Sequence, residues 1–228
     1  MGADSGGELD RQRAPRRDAR ANRERILEVA AEMISREGPG VPLAAIADAA
    51  GVGIGTFYRG FPDRTALMAA LQHRAYDILL AILDSIEASE QPGIAAIETY
   101  LVECLAVADQ LILPLRGATP VLDQPAVAGR ERIRAALERI LLNGWNDGTV
   151  RGDVTPLDVI VCGSMISQPL SPGLNWSLTA RRHIAVFVRG ISTAPSGSAP
   201  TPAASEPASL ESLFTSDGPS VKRTTSSD

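Results

Sequence analysis

Apolar residues recur at three- and four-residue intervals along most of residues 26–191, a spacing that lines one face of an α-helix again and again. Ile26, Val29, Ala30, Met33 and Ile34 form the first such face, closed by Gly38 and Pro39. Pro42 suits a first helical position, and Leu43, Ile46, Ala47 and Ala50 then share a face before Gly51, which leaves room for two turns. A third short helix fits around Thr56, Phe57 and Tyr58, before Gly60. From Pro62 and Asp63, a cap-like start, Leu67, Leu71, Ile78, Leu79, Ile82, Leu83 and Ile86 hold register to about Glu90. Ile94, Ile97, Leu101, Cys104, Leu105 and Ala108 repeat the pattern after a Gln-Pro-Gly break, and Ile133, Leu137, Ile140 and Leu141 mark a helix ending near residues 144–148. Two more helices are expected at about 156–168 and 179–191. Aromatic residues make up only 4% of the chain, too few to cover pleated sheets, so the expected fold is all-α.

The same sequence excludes several kinds of chemistry. Cys104 and Cys162 are the two cysteines, with no CxxC or CxxH spacing around them, and His73 and His183 stand alone. No Ser/His/Asp, Cys/His, paired-carboxylate, P-loop or HExxH pattern is present. We therefore expect no enzyme, no catalytic residues, no cofactor and no metal. The longest apolar runs, around 78–83 and 111–115, fall well short of the roughly 18–20 residues that cross a bilayer, and no apolar leader opens the chain. A cytoplasmic protein with no membrane partner is the expectation. Residues 193–228 draw 26 of their 36 positions from Pro, Gly, Ser, Thr and Ala, which is too little apolar surface to offset the entropy of ordering, so this tail is expected to be disordered.

A net charge of −5 argues against a nucleic-acid partner until its distribution is considered. Within residues 11–25, Arg11, Arg13, Arg16, Arg17, Arg20, Arg23 and Arg25 face only Asp18 and Glu24, a local net of +5. Residues 65–192 carry ten basic and thirteen acidic side chains. The cationic end thus lies just before two short helices joined by a glycine-containing turn. Two such helices packed on a longer one form a helix-turn-helix, whose second helix can enter the major groove of DNA.

The residues from Ile46-Ala47 through Gly51-Val52, Gly55-Thr56-Phe57-Tyr58 and Phe61 to Arg64 and Leu67 resemble the DNA-binding domain of the TetR family of bacterial transcriptional regulators. The likeness runs from about Asn22 to Leu71. It implies that Ile46, Ala47, Val52, Phe57 and Phe61 are core. It also implies that Thr56 and Tyr58 meet phosphates, that Arg64 clamps one, and that Gly55 and Arg59 lie at the same surface. Arg16, Arg17 and Arg20 would add contacts from the arm, in the minor groove or non-specifically along the backbone. Three positions depart from the family pattern. Gly53 stands where a Ser usually caps the recognition helix, Ile54 replaces a polar base reader, and Gly60 replaces an aromatic or His. Arg59, the arm and DNA shape are then expected to carry more of the readout.

The expected organisation is a basic arm (1–20), a three-helix DNA-binding domain (21–67), a larger helical effector-binding and dimerisation domain (68–192), and the tail (193–228). One recognition helix reads few base pairs, so a homodimer is expected. The resemblance places its interface on the last two helices, with Val159, Cys162, Met165, Ile166, Ile184, Phe187, Val188 and Ile191 as the contact residues. The resemblance also implies an effector pocket within this larger domain, ahead of the last two helices, with Tyr100, Cys104, Trp145 and Met165 as lining residues, each of which also suits plain core packing. The function that follows is a repressor released from a palindromic operator by a small molecule. An activator of the same fold, a helical enzyme and a module without DNA binding are the alternatives.

Overall fold

The computed structural model describes residues 6–113, 120–168 and 175–193, with side chains from Asp18 onward. The tail from residue 194 lies outside the described residues. Eight α-helices stand within the described residues: α1 (Gly6–Glu37), α2 (Leu43–Ala49), α3 (Ile54–Gly60), α4 (Arg64–Ala88), α5 (Gly93–Ala106), α6 (Gln124–Asn146), α7 (Pro156–Ile166) and α8 (Trp176–Ile191). A 3-10 turn, Ala108–Gln110, follows α5. Among the described residues no strand pairs beyond an isolated bridge between Val150 and Ser192. The fold is all-α.

The expected arm is not a separate segment, because α1 begins at Gly6 and runs through the basic stretch without a break. Arginine, alanine and glutamate, which dominate residues 16–28, lose little rotamer freedom in a helix. Helix α4 starts at an Asp63 cap, whose Oδ1 accepts from the Ala66 N–H at 2.7 Å. It is long and apolar enough to cross a bilayer by composition, but half of that apolar window is buried among the other helices, as in the core helix of a folded domain.

Two apolar cores form, and α4 belongs to both. The smaller joins Ile26, Ala30 and Ile34 of α1, Ile46 and Ala47 of α2, Phe57 and Phe61 at α3, and Leu67, Ala70 and Leu71 of α4. The larger takes Ala75, Tyr76, Leu79, Leu80, Leu83 and Ile86 of α4 together with α5 to α8. Ile112, far along the chain, also enters the smaller core, while its neighbour Leu111 enters the larger.

The larger core depends on a close approach between α5 and α6. A Cβ built on Gly93 would lie 2.2 Å from Gly144 Cα, so the backbones touch where these glycines meet. Asp147, past the end of α6, accepts the Gly93 N–H at 2.9 Å and fixes the same junction. A methyl group at Gly93 has nowhere to go except by separating the helices. Gly93→Ala is expected to cost about 1–3 kcal/mol and to lower Tm by several degrees in a thermal melt followed by circular dichroism, with the helical content of the folded state unchanged.

Candidate nucleic-acid interface and cavity

The turn between α2 and α3 hinges on Gly51, whose φ of +65° lies in the left-handed region that favours glycine. The Gly51 N–H donates to Asp48 O at 3.0 Å and the Val52 N–H to Ala47 O at 3.0 Å, which closes the turn. Beyond it, α3 is held by its buried side. Phe57 and Phe61 are fully buried with ring centroids 5.7 Å apart, and Tyr58 meets the Phe57 ring edge-on at 5.9 Å. With those rings fixed, Ile54, Gly55, Tyr58 and Arg59 face outward, Ile54 and Tyr58 each 47% exposed. Arg59 donates to Thr56 Oγ1 at 2.9 Å, so these two expected contact residues support one another.

Several cations near this surface hold the domain together. Arg64 donates to Pro39 O and Val41 O, both at 2.5 Å, tying the start of α4 to the loop between α1 and α2. The resemblance assigned it to phosphate; its geometry makes it first a brace for that loop. Arg23 lies over the Phe61 ring at 4.4 Å and donates to Gly60 O, and Arg25 donates to Ala50 O at 2.8 Å. Arg20 is exposed. Arg16 and Arg17 fall in α1, but their side chains lie outside the described residues.

A cavity of about 740 Å³ opens among α4, α5, α6 and α7. Tyr100 and Cys104 line it, with Leu79, Ile133, Ile160 and Arg130. Trp145 and Met165 do not. The Trp145 indole N–H donates to Arg151 O at 3.0 Å, and Met165 points to solvent with 68% of its surface exposed. Among the described residues no three His, Cys, Asp or Glu side chains gather to hold a metal.

Residues 26–71 match the model for the bacterial regulatory proteins of the tetR family. An HTH-type transcriptional regulator from Staphylococcus aureus strain USA300 is 38% identical over 66 residues, covering 28% of this chain. The chain spans 36% of the length of that relative. Over most of its length the chain resembles the crystal structure of a TetR transcription regulatory protein from Mycobacterium vanbaalenii. That likeness has 29% identity and a TM-score of 0.58, covering 78% of this chain and 98% of the other. A TetR transcriptional regulator from Streptomyces coelicolor gives 28% identity and a TM-score of 0.58, over 75% of this chain and 99% of that one. Residues 26–71 thus carry a DNA-binding domain of the TetR-family type, and the rest of the chain shares the fold of these regulators. Its helix-turn-helix is α2, the Gly51 turn and α3.

The last two helices turn a different side outward from the one expected. Val159, Ile166, Ile184 and Ile191 are buried in the chain's own core and offer no surface to a partner. Cys162, Phe187 and Val188 are half-buried against the same core. Periodicity left the facing of α7 undetermined because that helix is apolar nearly all round, and the regular stripe on α8 is the one that packs inward on α5. The exposed apolar residues are Leu157, Val161 and Met165 on α7 with Leu178 and Val186 on α8. Of the expected interface, Met165 alone is freely exposed.

The sequence also hid the cavity residues of α6, since Arg130 and Val127 sit on a polar side that reads as solvated surface. Ile112 carried no signal either, lying in a segment between helices. Arg64→Ala is expected to lower stability by about 1–2 kcal/mol through loss of two charge-assisted hydrogen bonds, whereas exposed Arg59→Ala should leave Tm nearly unchanged. Thermal melts of the two variants check this.

Proposed function

We propose that the protein is a homodimeric, sequence-specific DNA-binding transcriptional regulator, a repressor that leaves a palindromic operator when a small molecule fills the cavity. The observation that carries this reading is the outward face of α3, where Ile54, Gly55, Tyr58 and Arg59 stand on a helix clamped from behind by Phe57 and Phe61. In the major groove Ile54 suits a thymine methyl, and Arg59 suits the acceptor edge of guanine or a phosphate. Thr56 and Tyr58 hydroxyls and the Gly55 backbone suit phosphates, with Arg16, Arg17 and Arg20 adding cationic contacts from α1.

Dimerisation is supported by Leu157, Val161 and Met165, a stripe at four-residue spacing along the exposed side of α7, with Leu178 and Val186 on α8. Coupling between cavity and DNA is supported by the ties on α4. Gln72, fully buried, exchanges hydrogen bonds with the Val121 backbone, and His73 Nε2 lies 3.0 Å from Asp123 Oδ1. Arg74 joins Glu24 of α1 to Gln110 beside Leu111, which lines the cavity.

Selection of duplexes from a random pool by the purified full chain tests this reading. An enriched palindrome is expected, with half-sites about 34–36 Å apart, and it should vanish with Tyr58→Ala/Arg59→Ala and with the dimer-breaking Met165→Glu. Absence of enrichment at low salt, or an unchanged palindrome in the α3 double variant, would overturn it.

A further inference from the structure

The cavity's polar groups are mostly committed to one another. Burial raises both the Tyr100 hydroxyl and the neighbouring Cys104 thiol, the thiol to about 12, so the floor is uncharged at neutral pH. Ser164 Oγ donates to Ile160 O at 2.9 Å, and Ser167 Oγ to Gly163 O at 2.8 Å. At the rim Arg134 pairs with Glu131 at 2.6 Å and with Glu138 at 2.9 Å. A ligand body rich in polar groups would shed its water here and find few partners, at a loss of affinity for each unpaired group. The body that fits is apolar, and a volume of about 740 Å³ lies within the usual range of small-molecule sites.

Arg130 is different. It is half-buried in the cavity wall on α6, and its NH1 donates to Val121 O at 3.1 Å, an acceptor that Gln72 Nε2 also reaches at 3.3 Å. Among the described residues no carboxylate stands within ion-pair distance of it. Asp123 is close enough to feel its charge, but Asp123 Oδ1 already accepts from the Ala126 N–H and faces His73. Among the described residues Val121 O alone accepts from this guanidinium, and a guanidinium so placed at the edge of an apolar cavity matches the planar fork of a carboxylate or the oxygens of a sulfonate.

We propose that the cavity takes a largely apolar organic monoanion, its body among Leu79, Tyr100, Ile133 and Ile160 and its acidic head on Arg130. This rests on the effector reading above and names the chemistry of the effector. The head group would compete with Val121 O for Arg130. That loosens the segment that Gln72 and His73 tie to α4, directly after Leu71 beneath the helix-turn-helix.

Two fluorescent probes with the same aromatic body test it on the full chain: anilinonaphthalene sulfonate, which carries an anionic head, and its uncharged parent phenylnaphthylamine. The sulfonate is expected to bind saturably, one per protomer. Arg130→Gln should weaken the sulfonate about tenfold, the loss of one charge-assisted contact, and leave the uncharged probe within about twofold. Ser164→Phe, which fills the cavity, should weaken both probes, and circular dichroism reports whether that variant folds. If it does not fold, the Arg130→Gln comparison alone decides. Equal response of the two probes to Arg130→Gln, sulfonate binding that survives a folded Ser164→Phe, or no saturable binding would overturn the proposal. The random-pool selection with the wild-type chain is read separately: a palindrome without probe binding overturns the ligand class alone, and no palindrome overturns the regulator reading.

Discussion

Helix α4 is one rigid rod buried in two cores, and the remaining structure is arranged around that fact. Its first turns give Leu67, Ala70 and Leu71 to the helix-turn-helix core, and its later turns give Ala75, Tyr76, Leu79 and Leu83 to the larger one. Between them sit Gln72, His73 and Arg74, and all three bond outward to segments beside the cavity or to α1. A continuous hydrogen-bonded helix resists bending, so a displacement at one end reaches the other as a change of position. Leu111 and Ile112 provide a second link, with adjacent residues buried in different cores.

The small domain shows how a chain of net charge −5 presents a cationic surface and where some of that charge is used. Arg23, Arg25 and Arg64 bind the carbonyls of Gly60, Ala50, Pro39 and Val41, groups at helix ends and loops that lack partners within the helices. These contacts fix the angle between α3 and its supports. Arg59 and Arg20 remain at the surface.

Much of this fold was legible in the sequence because its helices are amphipathic and punctuated by Pro, Gly and Asp. The Asp63 cap and the turn at Gly51 follow from local pattern, and the buried Phe57 and Phe61 from the family resemblance. What stayed hidden depends on tertiary facing. Val159 and Ile166 look like interface residues on a helix that is apolar on most sides, and only packing against α5 and α6 shows that Leu157, Val161 and Met165 are the ones left exposed. The basic segment read as an arm because charge is conspicuous and helix propensity is quiet. The cavity was half legible: Tyr100 and Cys104 are large or polarisable groups on a helix facing inward, while Arg130 is an arginine among surface charges whose place in a wall no spacing reveals.

The proposed regulator would read DNA by setting the exposed face of α3 against base edges. Photo-crosslinking tests it most directly, with a photoreactive side chain at position 54 of the full chain bound to its selected duplex, and the same group at exposed position 142 on α6 as the comparison. Crosslinks from position 54 into the half-site and none from position 142 are the predicted result. A bound complex with no crosslink from position 54 would mean that α3 does not enter the groove.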